Sequence, residues 1–215
     1  MEQKHYQYIL FCDFDGTITA EETFVGMCQK FAPDIFHEIG KKMWERQLTI
    51  REGVRTVIES LPSSLYPNML AYIDDIEMRP GFPEFLCYCN NHSIPVVIIS
   101  GGLYDCVVRK LGDLINNVEA IYAARVDASG DYLKLYSDYE HEGELVAKAV
   151  IMDNYRAQCR IAVGDGPTDI EMAKHADIVF ARSMLKQFLP EGKKYYEWDN
   201  FFDVIETLSV IIDKK

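Results

Sequence analysis

The alternation of apolar and polar segments predicts most of the secondary structure of this chain. Four short apolar runs, rich in β-branched residues and closed by turn-forming residues, are typical of buried parallel strands. These predicted strands are 8–11, 95–99, 160–163 and 177–180. Helical spacing of apolar residues predicts helices at 81–91, 104–111, 144–155 and 168–175. Strands that alternate with helices indicate a parallel sheet covered on both faces.

The first connection departs from this alternation of strands and helices. Residues 12–94 separate the first two predicted strands, and a simple crossover needs far fewer residues. Apolar spacing within 21–75 is helical, with breaks at Pro33, Pro62 and Pro67. We therefore expect an α/β fold with two parts. A Rossmann-like parallel sheet with helices on both faces is formed by residues 1–19 and 79–215, and an inserted helical-bundle cap by 20–78. The alternating stretch 125–137 predicts a small β-hairpin.

Composition narrows the range of partners. The 215-residue chain is 48% hydrophobic and has a formal net charge of −12, which argues against nucleic acid and anionic membranes. No apolar run approaches the length of about 18 residues that spans a bilayer. The N-terminus lacks a signal-peptide pattern, and the six scattered cysteines are expected to be buried, reduced thiols. The sequence predicts a cytoplasmic protein and carries no signal for an oligomeric state.

The stretch FCDFDGTIT, residues 11–19, ends the first predicted strand with two aspartates two positions apart. Neighbouring carboxylates repel each other and raise each other's pKa. The arrangement is costly unless a cation or a reaction uses it. This strand end is therefore a candidate active site.

Two later strand ends also carry polar motifs. Ser100-Gly101-Gly102 follows the second predicted strand, and GDGPTD, residues 164–169, follows the third. Ligands of open parallel sheets bind beyond the carboxyl ends of the strands. We therefore expect three loops to bring four carboxylates, a hydroxyl and glycine amides together at one edge of the sheet.

The segments DFDGT, IISGG and VGDGPTD resemble the motifs of the haloacid dehalogenase superfamily, with a cap inserted after the first motif. The resemblance covers nearly the whole chain. Within the superfamily, FAPDIF, LTIREGV and RPGFPEFL are most similar to the methionine-salvage enol-phosphate phosphatases, and phosphoserine phosphatases come next. The resemblance implies a Mg²⁺-dependent phosphomonoesterase that acts on a small phosphorylated metabolite.

The resemblance also implies roles for individual residues. Asp13 is expected to form an aspartyl-phosphate, and Asp15 to protonate the leaving oxygen and then activate water. Mg²⁺ is expected on the carboxylates of Asp13 and Asp165 and on the Asp15 carbonyl. Asp169 is expected behind these ligands or linked to the metal through water. Ser100, Gly101 and Gly102 are expected to bind the phosphate oxygens. Thr17 is expected to orient Asp15 or the turn that carries it.

Members of the superfamily place a lysine beside the nucleophile, and this chain departs from the usual spacing. The matching position is Glu142, and the nearest lysine is Lys148, which we expect one helical turn beyond Glu144. An acidic site that binds phosphate needs a nearby cation. We therefore predict that the Lys148 ammonium lies within hydrogen-bonding reach of Asp13, with Lys134 as the alternative.

Substrate choice is expected to depend on the cap. Glu22 has the same offset from the nucleophile as a substrate-contacting acid of the phosphoserine phosphatases, and Arg55 lies near the position of their carboxylate-binding arginine. Both residues also fit ordinary surface roles. Three functions stay open: an enol-phosphate phosphatase, a phosphoserine phosphatase, and a catalytically weakened protein that binds a phosphorylated metabolite.

Overall fold

A seven-stranded sheet forms the core of the computed structural model, which describes residues 4–212. Its strand order is β4-β3-β2-β1-β5-β6-β7, and neighbouring strands are parallel except for the antiparallel pair β3 and β4. The strands are β1 (His5–Cys12), β2 (Val96–Leu103), β3 (Ala120–Asp127), β4 (Lys134–Tyr136), β5 (Arg156–Gly164), β6 (Ile178–Ala181) and β7 (Tyr196–Glu197). The predicted α/β class and the hairpin are confirmed.

Ten α-helices accompany the sheet within residues 4–212. They are α1 (Thr23–Phe31), α2 (Pro33–Trp44), α3 (Ile50–Glu59), α4 (Tyr66–Tyr72), α5 (Phe82–Asn91), α6 (Tyr104–Leu111), α7 (Lys148–Asp153), α8 (Ile170–His175), α9 (Leu185–Phe188) and α10 (Phe201–Ile212). The sequence pattern predicted α5, α6 and α8 within two residues of their starts. It did not predict β7 or α10.

The central strand β1 positions the candidate site. Its residues from Ile9 to Cys12 are fully buried, and it pairs with β2 on one side and β5 on the other. The right-handed rule for parallel crossovers places α5 and α6 on the face of the sheet opposite α7 and α8. The carboxyl ends of β1, β2 and β5 consequently lie side by side at one edge.

Four helices, α1–α4, lie between β1 and α5. Pro33 and Pro67 stand in the first turns of α2 and α4, where the missing N–H costs nothing. Helix α3 begins with a capping box, in which Thr49 Oγ1 accepts from Glu52 N at 3.2 Å and Glu52 Oε2 accepts from Thr49 N at 2.9 Å. These helices correspond to the predicted helical insertion, and its bounds at 20 and 78 stay a prediction.

Two sets of backbone contacts tie this helical segment to the sheet. Thr19 and Met78 form an antiparallel bridge where the chain leaves and re-enters the core. On the other side, the backbone N–H of Leu133 in the hairpin donates to the carbonyl of Leu61 at 3.0 Å. The helical segment is therefore attached to the core at two separate places.

The six cysteines form no disulfide, and five of them are buried as predicted. The prediction of a buried thiol was wrong for Cys87, which is exposed. Among residues 4–212 there is no helix whose length and apolar character would let it cross a membrane.

Candidate active site

Asp13 lies at the carboxyl end of β1, in the middle of the sheet. Its backbone N–H donates to the carbonyl of Val163 in β5 at 3.0 Å, so strand pairing extends to this residue. Its buried carboxylate accepts a hydrogen bond from Lys148 Nζ, which also donates to Asp169 Oδ1 at 2.6 Å. The ammonium of Lys148 thus bridges carboxylates from two loops, and the predicted contact with Asp13 is present.

Lys148 reaches Asp13 from the first position of α7. The prediction that this helix begins at Glu144 was wrong. Glu142 and Gly143 have positive φ angles of 43° and 91°, and two successive residues in this region turn the chain rather than start a helix. The lysine is consequently buried at a helix start, and the alternative of Lys134 fails because its ammonium pairs with Glu59 at 3.2 Å.

Asp169 organises the loop that follows β5. Its Oδ2 accepts from the backbone N–H groups of Asp165 and of the next residue, at 2.9 and 3.0 Å, while Oδ1 accepts from Lys148. Thr17 Oγ1 donates to Asp165 Oδ1 at 3.2 Å, rather than to Asp15. These bonds fix the direction of the Asp165 carboxylate relative to Asp13.

Asp15 is held by donors from both parts of the molecule. Ser100 Oγ donates to its Oδ2 at 2.9 Å and accepts from the Gly102 backbone N–H at 2.9 Å. The Thr23 hydroxyl and the Phe24 N–H, at 3.1 Å, donate to Oδ1. Thr23 and Phe24 begin α1, so the positive end of a helix dipole faces the carboxylate. Ser100, expected to bind phosphate, contacts Asp15 in this structure.

Two glycines permit this close packing of carboxylates. Gly16 has φ of 76°, and a Cβ there would lie 2.7 Å from Asp165 Oδ2. A Cβ at Gly102 would lie 2.8 Å from Asp15 Oδ2. Both distances are shorter than a carbon–oxygen contact allows, so a side chain at either position would displace a carboxylate.

The electrostatics of the site are dominated by negative charge. Burial, and then the charge of Asp169, raise the pKa of Asp13 well above its usual range. The same two causes raise the pKa of Asp165 to about 6. Burial alone would lower the pKa of Lys148. The negative charges of Asp13 and Asp169 and their hydrogen bonds to the ammonium have a larger opposite effect, so the pKa is raised and the lysine stays charged. Burial and then Asp165 raise the pKa of Glu22 to about 7.

This group of carboxylates fits a hard divalent cation. Asp13, Asp165 and Asp169 each offer an oxygen, and the three oxygens lie within 4.8 Å of one another. Carboxylate oxygens are the ligands that Mg²⁺ prefers. A dication would offset the excess negative charge that raises the pKa of Asp13.

A cavity of about 640 Å³ opens onto these carboxylates and is lined by residues of both the sheet edge and α1–α3. The predicted site residues that line it are Asp13, Asp15, Glu22, Gly101, Gly102 and Asp165. The predicted residues that are buried without lining it are Thr17, Ser100, Lys148 and Asp169. Of the two predicted cap residues, Glu22 lines the cavity and can contact a ligand there, whereas Arg55 does not.

Arg55 does not line this cavity. Its guanidinium forms a salt bridge with Glu140, and its Nε donates to the Leu135 carbonyl at 3.4 Å. Arg51, one turn earlier on α3, approaches the same glutamate at 3.6 Å. Arg55 thus joins α3 to the segment after β4, away from the carboxylates.

Comparison with known proteins identifies the family. The sequence profile of the haloacid dehalogenase-like hydrolases matches residues 10–174, which include all of the site described above. The chain belongs to the haloacid dehalogenase-like hydrolases.

Several relatives within this family match nearly end to end. A protein of Microcystis aeruginosa named 2-hydroxy-3-keto-5-methylthiopentenyl-1-phosphate phosphatase is 49% identical over 203 residues, covering 93% of this chain and 97% of its own. Proteins of the same name from Bacillus cytotoxicus and Geobacillus kaustophilus are 31% and 32% identical, covering 96% and 94% of this chain and 98% and 96% of their own.

Solved structures of the family share the fold. A phospho-aspartyl intermediate analogue of phosphoserine phosphatase superposes with a TM-score of 0.71 at 21% identity, covering 94% of this chain and 99% of that one. A substrate-bound phosphoserine phosphatase complex has a TM-score of 0.68 at 22% identity, covering 96% and 99%. At this identity the similarity is one of fold.

Sequence reasoning missed two residues of this hydrolase site, Thr23 and Arg79. Thr23 follows the predicted Glu22 and is the first residue of α1, but only the folded chain brings its hydroxyl to Asp15. Arg79 precedes the Pro-Gly that starts α5, and its burial, which is unusual for an arginine, is visible only in the folded chain.

Arg79 holds the turn that follows Asp15. Its Nη2 donates to the carbonyls of Gly16 at 2.6 Å and Thr19 at 3.1 Å, and its Nε donates to the carbonyl of Thr17 at 2.8 Å. Its guanidinium also lies 5.5 Å from the centre of the Trp198 ring. A single buried cation therefore satisfies several carbonyls of the turn that presents Asp15.

Proposed function

We propose that this chain is a Mg²⁺-dependent phosphatase that hydrolyses 2-hydroxy-3-keto-5-methylthiopentenyl 1-phosphate through an aspartyl-phosphate on Asp13. The observation that carries the proposal is the contact of Lys148 with Asp13 beneath the cavity, whose floor is formed by the carboxylates of Asp13, Asp15 and Asp165. The near full-length similarity to proteins of that name supports the substrate.

Phosphoryl transfer requires a nucleophile in line with the ester oxygen and a proton for the leaving group. A carboxylate oxygen of Asp13 bonds to phosphorus as the ester P–O bond breaks, and Asp15 gives its proton to the leaving oxygen. Burial raises the pKa of Asp15, which favours the protonated acid that this step needs. Water then attacks phosphorus, Asp15 takes the proton of that water, and the bond from Asp13 to phosphorus breaks.

The residues around Asp13 and Asp15 prepare this step. Lys148 fixes one Asp13 oxygen, which leaves the other free to attack, and its charge offsets that of the phosphate. Mg²⁺ held by Asp13 and Asp165 would supply further positive charge to the phosphate oxygens when bound. Gly101 and Gly102 line the cavity, where their backbone can approach those oxygens.

The charges around the cavity favour the enol-phosphate over O-phosphoserine. Among the described residues that line it, the charged ones are all acidic, and Arg55 is paired with Glu140 elsewhere. The carboxylate of phosphoserine would enter this cavity without a cationic partner, which is costly for a desolvated charge. The weakened binding protein also loses its support, because that reading depended on the absence of a lysine beside Asp13.

The test is phosphate release from the enol-phosphate, O-phosphoserine and p-nitrophenyl phosphate, each with Mg²⁺ and with a chelator. We expect Mg²⁺-dependent release, with kcat/KM for the enol-phosphate at least about tenfold above that for O-phosphoserine. Equal or reversed preference would refute the substrate, and release unaffected by the chelator would refute the metal requirement.

A further inference from the structure

The cavity has a second wall whose chemistry differs from that of its carboxylate floor. Phe24 of α1, Phe36, Met43 and Trp44 of α2, and Val54 of α3 line it from the helical segment. We call these five residues the apolar wall. Within the described residues that line the cavity there is no lysine, arginine or histidine, so the wall offers an anion nothing to bind.

Several apolar residues that line the cavity are exposed to solvent, which does not contribute to the stability of the fold. The Trp44 side chain is 89% exposed, and Ile50 and Met184, which also line the cavity, are 50% and 49% exposed. Scattered apolar residues are normal at surfaces, but a contiguous group beside a catalytic cavity is typical of a ligand site. An apolar ligand group in the cavity would cover them.

We propose that the apolar wall is the subsite that binds the methylthio tail of the substrate, and that it makes this tail a determinant of specificity. The proposal rests on the proposed function, which places the phosphate at Asp13. Because floor and wall line one cavity, a phosphate ester bound at the floor directs its other end toward the wall. A thioether carries no charge and contacts aromatic rings and methionine favourably, whereas a hydroxyl or ammonium would lose its hydration there.

Trp44 and Gly40 allow this subsite to be altered without disturbing the fold. Trp44 ends α2 and is exposed, so Trp44→Ala removes wall surface without leaving a hole in the core. Gly40 lies on the same helix and lines the cavity, and a Cβ built there meets no atom within 4 Å. Gly40→Leu therefore adds volume beside the wall. Ile35→Ala is the matched control, since Ile35 is an exposed apolar residue of α2 that does not line the cavity.

The test measures binding rather than turnover, so that it is independent of the reaction. Isothermal titration calorimetry with Mg²⁺ gives the dissociation constants of 5-(methylthio)pentyl phosphonate and 6-hydroxyhexyl phosphonate, which have equal chain length and cannot be hydrolysed. We expect the wild-type chain to bind the thioether about tenfold or more tightly than the alcohol. Trp44→Ala and Gly40→Leu should each reduce that ratio at least about threefold, and Ile35→Ala should leave it unchanged.

A wild-type ratio near one, or binding of neither phosphonate, would overturn the subsite. A ratio unchanged by both wall variants, or reduced equally by Ile35→Ala, would also overturn it. Failure of the proposed function gives a different result, in which the thioether phosphonate binds selectively but the corresponding phosphate ester is not hydrolysed.

Discussion

The floor and the wall of the cavity differ in almost every physical respect. Asp13, Asp15 and Asp165 on the floor and Asp169 buried behind them are tightly packed, and each carboxylate accepts hydrogen bonds from defined donors. The apolar wall is built from helical side chains, of which Trp44 is exposed and the other four are partly buried. A preorganised charged floor suits a reaction, and an apolar, partly exposed wall suits selection of a ligand. Under the proposed function, reaction and selection therefore belong to separate segments of the chain.

Replacement of Asp13 should give the largest effect, because it removes the proposed nucleophile. Asp13→Asn should lower kcat about 10⁴-fold or more for every phosphate ester, since an amide is a poor nucleophile and metal ligand. The fold should survive, because the loss of one buried charge relieves the repulsion that raises the pKa of Asp13. Phosphate release and thermal unfolding measure both effects. Asp153→Asn, at an exposed aspartate, is the control, and a folded Asp13→Asn variant with substantial activity would refute the role.

Replacement of Lys148 should affect both reaction and stability. Lys148→Met leaves Asp13 and Asp169 buried without a cation, which should lower the free energy of unfolding by about 3–5 kcal/mol without metal. We expect kcat to fall about 10²–10³-fold in Mg²⁺. Denaturant unfolding and phosphate release are the measurements, with Lys174→Met on the exposed side of α8 as control. Retention of full kcat would show that Lys148 is structural.

Replacement of Arg79 tests whether the position of Asp15 on the floor depends on the turn that follows it. Arg79→Met should lower kcat about tenfold to a hundredfold for the enol-phosphate and p-nitrophenyl phosphate alike, because Asp15 would shift by a fraction of an ångström. KM should change little, and Arg79→Lys should restore part of kcat. Arg109→Met, at an exposed arginine paired with Asp74, is the control. A change confined to KM would contradict a positioning role.

The motifs of the candidate site were predictable from the sequence because their signals are local. An apolar run that ends in Asp13 and Asp15 identifies a strand end, and parallel topology then brings Ser100 and Asp165 beside it. The start of α7 was not predictable in the same way. Leu145 and its neighbours are buried and have helical spacing, but the turn at Glu142 keeps them out of the helix.

The remaining features depend on contacts between residues distant in sequence. Arg55 looked available for a substrate because nothing near it in the sequence identifies Glu140, 85 positions away, as its partner. Arg79 and the carbonyl of Gly16 are 63 positions apart. The apolar wall was predicted only as helix, since the spacing of Phe36 and Met43 does not distinguish a core face from a cavity face.

Replacement of Arg55 should give the smallest effect. Because Arg55 pairs with Glu140 and does not line the cavity, Arg55→Ala should leave kcat/KM within about twofold for O-phosphoserine and the enol-phosphate alike. The free energy of unfolding should fall by about 0–1 kcal/mol, as for other partly exposed ion pairs. Steady-state kinetics on both esters test this. A rise in KM of about tenfold for O-phosphoserine alone would show that Arg55 binds a substrate carboxylate.

The central claim, that the floor carries out the reaction at Asp13, is tested most directly by a crystal structure of the chain with Mg²⁺ and beryllofluoride. Beryllofluoride bonds to a reactive carboxylate and mimics an acyl phosphate. We predict beryllium bonded to a carboxylate oxygen of Asp13, the metal in contact with Asp13 and Asp165, and the Lys148 ammonium still against the nucleophile. Beryllium bonded to Asp15 or Asp165, or a metal remote from Asp13, would contradict the account.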